Sequence, residues 1–83
     1  MTTGERIILD RFLAKTRMAG GARKGFVLRK ASILFVEDDH PGVDLEAALD
    51  RLVERDLLKV NESGDFYFLT GAGAEQLGAE ISG

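Results

Sequence analysis

Apolar residues recur at helical spacing in three stretches of the chain, and short β-favouring runs lie between them. Ile8, Leu9, Phe12 and Leu13 fall on one helical face, which predicts a first helix over 4–15. Thr2 and Glu5 stand at the capping-box spacing ahead of it. The pattern stops at Met18-Ala19-Gly20-Gly21-Ala22, because paired glycines disfavour a continuous helix, so 19–25 reads as a connector. Phe26-Val27-Leu28 suggests a brief strand. Ile33-Leu34-Phe35-Val36 is β-favouring by propensity, and so short an apolar run does not separate a strand from a buried helix. A second helix over 30–37 is preferred, since the helix that follows needs a packing partner. Asp38-Asp39-His40-Pro41-Gly42 is then a turn.

The third helix is the clearest element. Leu45, Ala48, Leu49, Leu52 and Val53 keep the i, i+3, i+4, i+7, i+8 rule, with Asp44 as N-cap and Glu46 in the first turn, predicting a helix over 44–55. Its polar face holds Glu46, Asp50, Arg51, Glu54 and Arg55, and Asp50 and Glu54 form a like-charge i,i+4 pair. A hairpin over 57–69 follows, turning through Asn61-Glu62-Ser63-Gly64-Asp65, where Gly64 supplies a positive φ. In the returning strand Tyr67 and Leu69 share one face, Phe66 and Phe68 the other. Thr70 caps a short last helix carrying Ala74, Leu77 and Ile81. The expected core joins Leu49, Leu52, Val53, Tyr67 and Leu69.

Composition narrows the chemistry. Eighty-three residues, 45% of them apolar, make one small domain spanning 1–83. Cysteine is absent, which removes disulfides, thiolate metal sites and thiol nucleophiles. No secretory leader pattern opens the chain and no apolar run approaches membrane-spanning length, so a cytoplasmic domain without membrane contact is expected. His40, the one histidine, sits in the Pro-Gly turn, and Glu37, Asp38 and Asp39 lack calcium-loop spacing. Ser32, Ser63 and Ser82 have no evident base. Gly20-Gly21-Ala22-Arg23-Lys24-Gly25 lacks the Lys-Ser or Lys-Thr of a phosphate loop. No enzyme, cofactor or metal is expected.

The net charge of −3 is segregated. Residues 15–30 hold Lys15, Arg17, Arg23, Lys24, Arg29 and Lys30 and no acid, whereas residues 31–65 hold ten acids against Arg51, Arg55 and Lys59. One-sign blocks often mark interaction regions.

Ala48-Leu49-x-x-Leu52-Val53-x-x-Asp56-Leu57-Leu58, a turn, and Tyr67-x-Leu69-Thr70-x-x-Gly73 resemble the recognition helix and wing of bacterial winged-helix regulators, among them repressors of the multiple-antibiotic-resistance and phenolic-acid-response types. The resemblance is strongest over 43–77. It implies a mainly α, α+β fold: a three-helix core, a hairpin wing and a short C-terminal helix. It also implies double-stranded DNA as partner, with the third helix in the major groove and the wing on the backbone. Asp56 departs from the glycine usual at that left-handed helix end. The DNA-facing candidates are Arg17, Arg23, Lys24, Arg29, Lys30, Arg51 and Arg55. Against them stand Asp44 and Glu46 on the helix and Glu62 and Asp65 at the wing tip, which repel phosphates. For Arg51 and Arg55, intrahelical pairing with neighbouring acids is preferred over base reading. Two functions stay open: a small DNA-binding regulator, or a winged helix used for dimerisation or contact with another protein. For the second, Phe66 and Phe68 are the interface candidates, either exposed as an aromatic patch or buried by the twist of the wing.

Overall fold

The computed structural model describes residues 2–18 and 25–82, the side chains of the last helix as far as residue 78. Most of the expected connector, with Arg23 and Lys24, and the side chain of Ile81 lie outside the described residues. The order is α1 (Thr3–Met18), β1 (Val27–Arg29), α2 (Lys30–Leu34), a 3-10 turn (Glu37–Asp39), α3 (Leu45–Glu54), β2 (Leu58–Val60), β3 (Phe66–Leu69) and α4 (Gly71–Ser82). The described part is an α+β fold of four helices and a small antiparallel sheet.

Local chemistry sets most of these bounds. The Thr2 hydroxyl accepts the Glu5 N–H at 3.3 Å and starts α1. The Asp44 carboxylate accepts the Ala47 N–H at 3.0 Å and starts α3. Thr70 does the same for α4, accepting from the Gly73 N–H at 2.9 Å. α2 is shorter than the expected 30–37, ending at Leu34. Glu37, Asp38 and Asp39 would have placed three carboxylates at the negative end of a longer helix, and they form the 3-10 turn instead.

The hairpin does not stand alone. β3 lies centrally, paired with β2 on one side and β1 on the other, in the order β1-β3-β2. Leu28 faces Tyr67, and Leu58 faces Leu69, so these four side chains share the inner face of the sheet. They meet Leu45, Ala48, Leu49 and Leu52 of α3, Ile8, Leu9 and Phe12 of α1, Ile33 of α2 and Leu77 of α4 in one buried cluster. Val53, expected in this core, packs at its margin. α1 and α3 approach closely where Gly4 meets Ala48: a Cβ on Gly4 would stand 2.9 Å from that of Ala48.

α3 ends in a Schellman-type stop. The Leu57 N–H reaches the Leu52 carbonyl and the Asp56 N–H reaches the Val53 carbonyl, both at 3.0 Å. Asp56 adopts φ +60° there, the one non-glycine with positive φ among the described residues. Its exposed side chain gains nothing visible from that strained backbone. Asp56→Gly is therefore expected to stabilise the domain by about 1 kcal/mol. A higher urea midpoint at unchanged slope would register it.

Candidate interaction surfaces

α3 presents two rows side by side, one ending in arginines and one of carboxylates. Ala47, Arg51 and Arg55 run along the flank toward α1, while Glu46, Asp50 and Glu54 run along the flank toward the sheet. The arginines are engaged. Arg51 Nε donates to Glu5 Oε1 at 3.1 Å, and Arg55 Nη1 donates to Glu5 Oε2. The Thr2 hydroxyl donates to Glu5 Oε1 at 3.0 Å and accepts from Arg51 Nη2 at 3.2 Å. Glu5 is 3% exposed, its arginine partners 42% and 50%. Burial alone would raise the Glu5 pKa, but hydrogen bonds from Thr2, Arg51 and Arg55 and the Arg55 charge outweigh it and hold the carboxyl below its ordinary value. Neither arginine takes up a neighbouring acid of α3, so the expected intrahelical pairing is replaced by a tie between helices.

The second row is carboxylate along its whole length. Glu46 pairs with Lys30 Nζ at 3.0 Å, which raises the Lys30 pKa. Burial pushes the Tyr67 phenol up; the Lys30 charge opposes this, and Asp50 and Glu46 add to it. Asp50 and Glu54 have no ion pair among the described residues. At the hairpin tip, Asn61 holds the turn by accepting the N–H groups of Asp65 and Phe66 at 3.0 and 3.1 Å. Glu62 and Asp65 are exposed there.

The basic candidates do not form one stripe among the described residues. Arg51 and Arg55 face α1, Lys30 meets the start of α3, and Arg29 stands on the outer face of the sheet with its guanidinium 5.8 Å from the Phe66 ring centre. Arg17 is exposed in the last turn of α1, about 18 Å along the helix from Glu5.

Phe66 and Phe68 do point away from the core. Val27, Phe68 and Lys59 align across the three strands, and Arg29 aligns with Phe66. Both rings are half-buried and Val27 is 42% exposed, giving a small apolar strip between two cations. The strip is neither fully bare nor folded into the core.

No group of three metal-ligating side chains occurs among the described residues. None of the described helices is long and apolar enough to cross a membrane. Comparisons with protein-family models, curated proteins and solved structures find no match to this chain.

Proposed function

We propose that this chain is a winged-helix domain that works through protein contact and does not read duplex DNA. The fold assignment is supported by three helices, a hairpin pairing back onto the strand between the first two, and the placement of that hairpin next to α3. The observation that carries the functional reading is the row Glu46, Asp50 and Glu54 on α3, the helix that would have to enter the groove. DNA affinity is built from cationic contacts to phosphate, and the two arginines of this helix are already held by Glu5. The outer sheet face, with Phe66 and Phe68 between Arg29 and Lys59, suits an apolar partner segment carrying acidic groups.

Fluorescence anisotropy with mixed-sequence duplexes at low salt is expected to show no binding. Binding that falls steeply with salt, and weakens when Arg23 and Lys24 are both changed to Ala, would restore the DNA reading through the basic run at 15–30. Asp50→Lys with Glu54→Lys is expected to create salt-sensitive affinity where the parent chain has none. If that variant folds and still ignores DNA, α3 is not a groove-facing helix and the winged-helix assignment loses its main functional content.

A further inference from the structure

β1 is an outer strand of the sheet, and two hydrogen bonds at its ends fix which side of it is free. The Leu69 N–H donates to the Phe26 carbonyl at 2.8 Å, and the Lys30 N–H donates to the Asp65 carbonyl at 2.7 Å. Phe26 and Lys30 therefore turn main-chain groups toward β3, and so does Leu28 between them. Val27 and Arg29 turn theirs the other way. The Arg29 carbonyl opens the α2 ladder, since Arg29 is the N-cap of that helix. The Val27 N–H and carbonyl and the Arg29 N–H make no hydrogen bond among the described residues. Both residues are exposed. The opposite outer strand, β2, is closed at Leu58, which is fully buried.

On the outer face, Val27 stands beside Phe68 and Arg29 beside Phe66. The Arg29 guanidinium lies against the Phe66 ring by its flat side, which leaves N–H groups at its rim for a carboxylate. A hollow of about 250 Å³ opens there, lined by Arg29, Lys30, Ala31, Asp65 and Phe66. Lys30 answers Glu46, and Asp65 pairs with neither cation. Arg29 carries no ion pair among the described residues.

We propose that β1 takes a fourth, antiparallel strand from a partner protein, an extended segment with a carboxylate opposite Arg29 and an aromatic side chain two residues later, opposite Val27. This rests on the protein-contact reading of the outer sheet face and adds which kind of segment binds and at which edge. The main-chain groups of Val27 and Arg29 supply the hydrogen bonds, and alternate side chains supply the selection. The aromatic side chain continues the row Lys59, Phe68 and Val27 across the sheet, about 5 Å beyond Val27, and covers its exposed methyl groups. The carboxylate meets the rim of the Arg29 guanidinium, an opposite-charge cross-strand pair. A second copy is a poor occupant. Laying β1 on β1 about a two-fold, in the register that joins the free groups of both, sets the two Arg29 residues about 8 Å apart. Lys30 follows each of them, and β1 has no carboxylate to answer. A basic foreign segment meets the same repulsion.

Amide chemical shifts of the isotope-labelled full chain, followed while the synthetic peptide Ser-Thr-Glu-Val-Phe-Thr-Ser is added, test this. The Val27 and Arg29 amides are expected to shift most, with a dissociation constant below about 1 mM. The same peptide N-methylated at its Phe loses the donor to the Val27 carbonyl, and a peptide with Lys in place of Glu loses the charge pair. Each is expected to bind at least about fivefold more weakly. Arg29→Glu should reverse the preference, taking the lysine peptide over the glutamate one, a reversal that unfolding does not imitate. Shifts confined to Phe66, Phe68 and Lys59, and indifferent to N-methylation, overturn the edge proposal and leave the sheet face as the contact. No shift at any residue up to about 5 mM peptide overturns it as well, while only duplex binding at low salt would count against protein contact itself.

Discussion

Gly73→Ala is expected to cost about 3 kcal/mol, far more than a helix-favouring substitution at an exposed site would suggest. A Cβ at this position would stand 2.2 Å from the Leu57 carbonyl oxygen and 2.9 Å from Leu69 Cδ1. The first of these atoms is main chain and is itself held, accepting the Thr70 N–H at 3.2 Å. Nothing there can swing aside. The substitution must lift the start of α4 off the α3–β2 junction, and three contacts go with it. Gly73 loses its bond to the Thr70 hydroxyl, the Thr70 hydroxyl loses its 2.6 Å bond to the Asp56 carbonyl, and Leu77 is drawn out of the core. For a domain of this size the melting temperature should fall by about 15 °C. Gly71→Ala is the control, since a Cβ there meets nothing within 4 Å, and it should match or exceed the parent. If both variants melt alike, α4 does not dock over Leu57.

The same contacts explain why the Leu-Thr-x-x-Gly stretch was legible in the sequence. Its threonine is a cap and its glycine a point of close approach, and each role needs that residue type at that spacing. α3 was legible because its apolar stripe spans a whole face, and the hairpin because Gly64, at φ +78°, sits in a short polar turn between apolar runs. The sheet was only half legible. A brief strand near Phe26 could be read locally, but its pairing of Val27 with Phe68 joins residues far apart in the chain, and three residues carry no register signal. α2, at five residues, is too short to display a helical period at all. Among the interaction candidates, the direction of Phe66 and Phe68 followed from strand alternation. The engagement of Arg51 and Arg55 did not follow, because their partner lies on another helix. One signal was present: Glu5 continues the stripe of Ile8, Leu9 and Phe12 at helical spacing, so the position read as a cap was also a buried one. A carboxylate on an apolar stripe calls for cations from the helix it packs against.

Removing that carboxylate is the other large effect expected. Glu5→Ala leaves Arg51, Arg55 and Thr2 without their shared acceptor and opens the α1–α3 contact beside Gly4 and Ala48. Breaking a wholly buried ion pair is severe, but both arginines are about half exposed and can turn toward water. The cost should therefore be about 2 kcal/mol, below that of a sealed pair. Glu5→Gln keeps the shape and loses the charge, which makes it the sharper probe. The folded state holds the Glu5 carboxyl ionised below its ordinary value of 4.5, so its charge contributes fully above that pH. The contribution fades as pH falls through the lowered folded value, where the parent must take up a proton that Glu5→Gln has no site for. Urea midpoints compared between the two proteins from about pH 7 to about pH 3 should thus show a gap that is constant at first and then narrows. The other carboxylates titrate in both proteins and cancel in the difference. A gap that persisted unchanged to the lowest pH would mean that Glu5 joins α1 to α3 by shape and hydrogen bonding, with its charge contributing nothing.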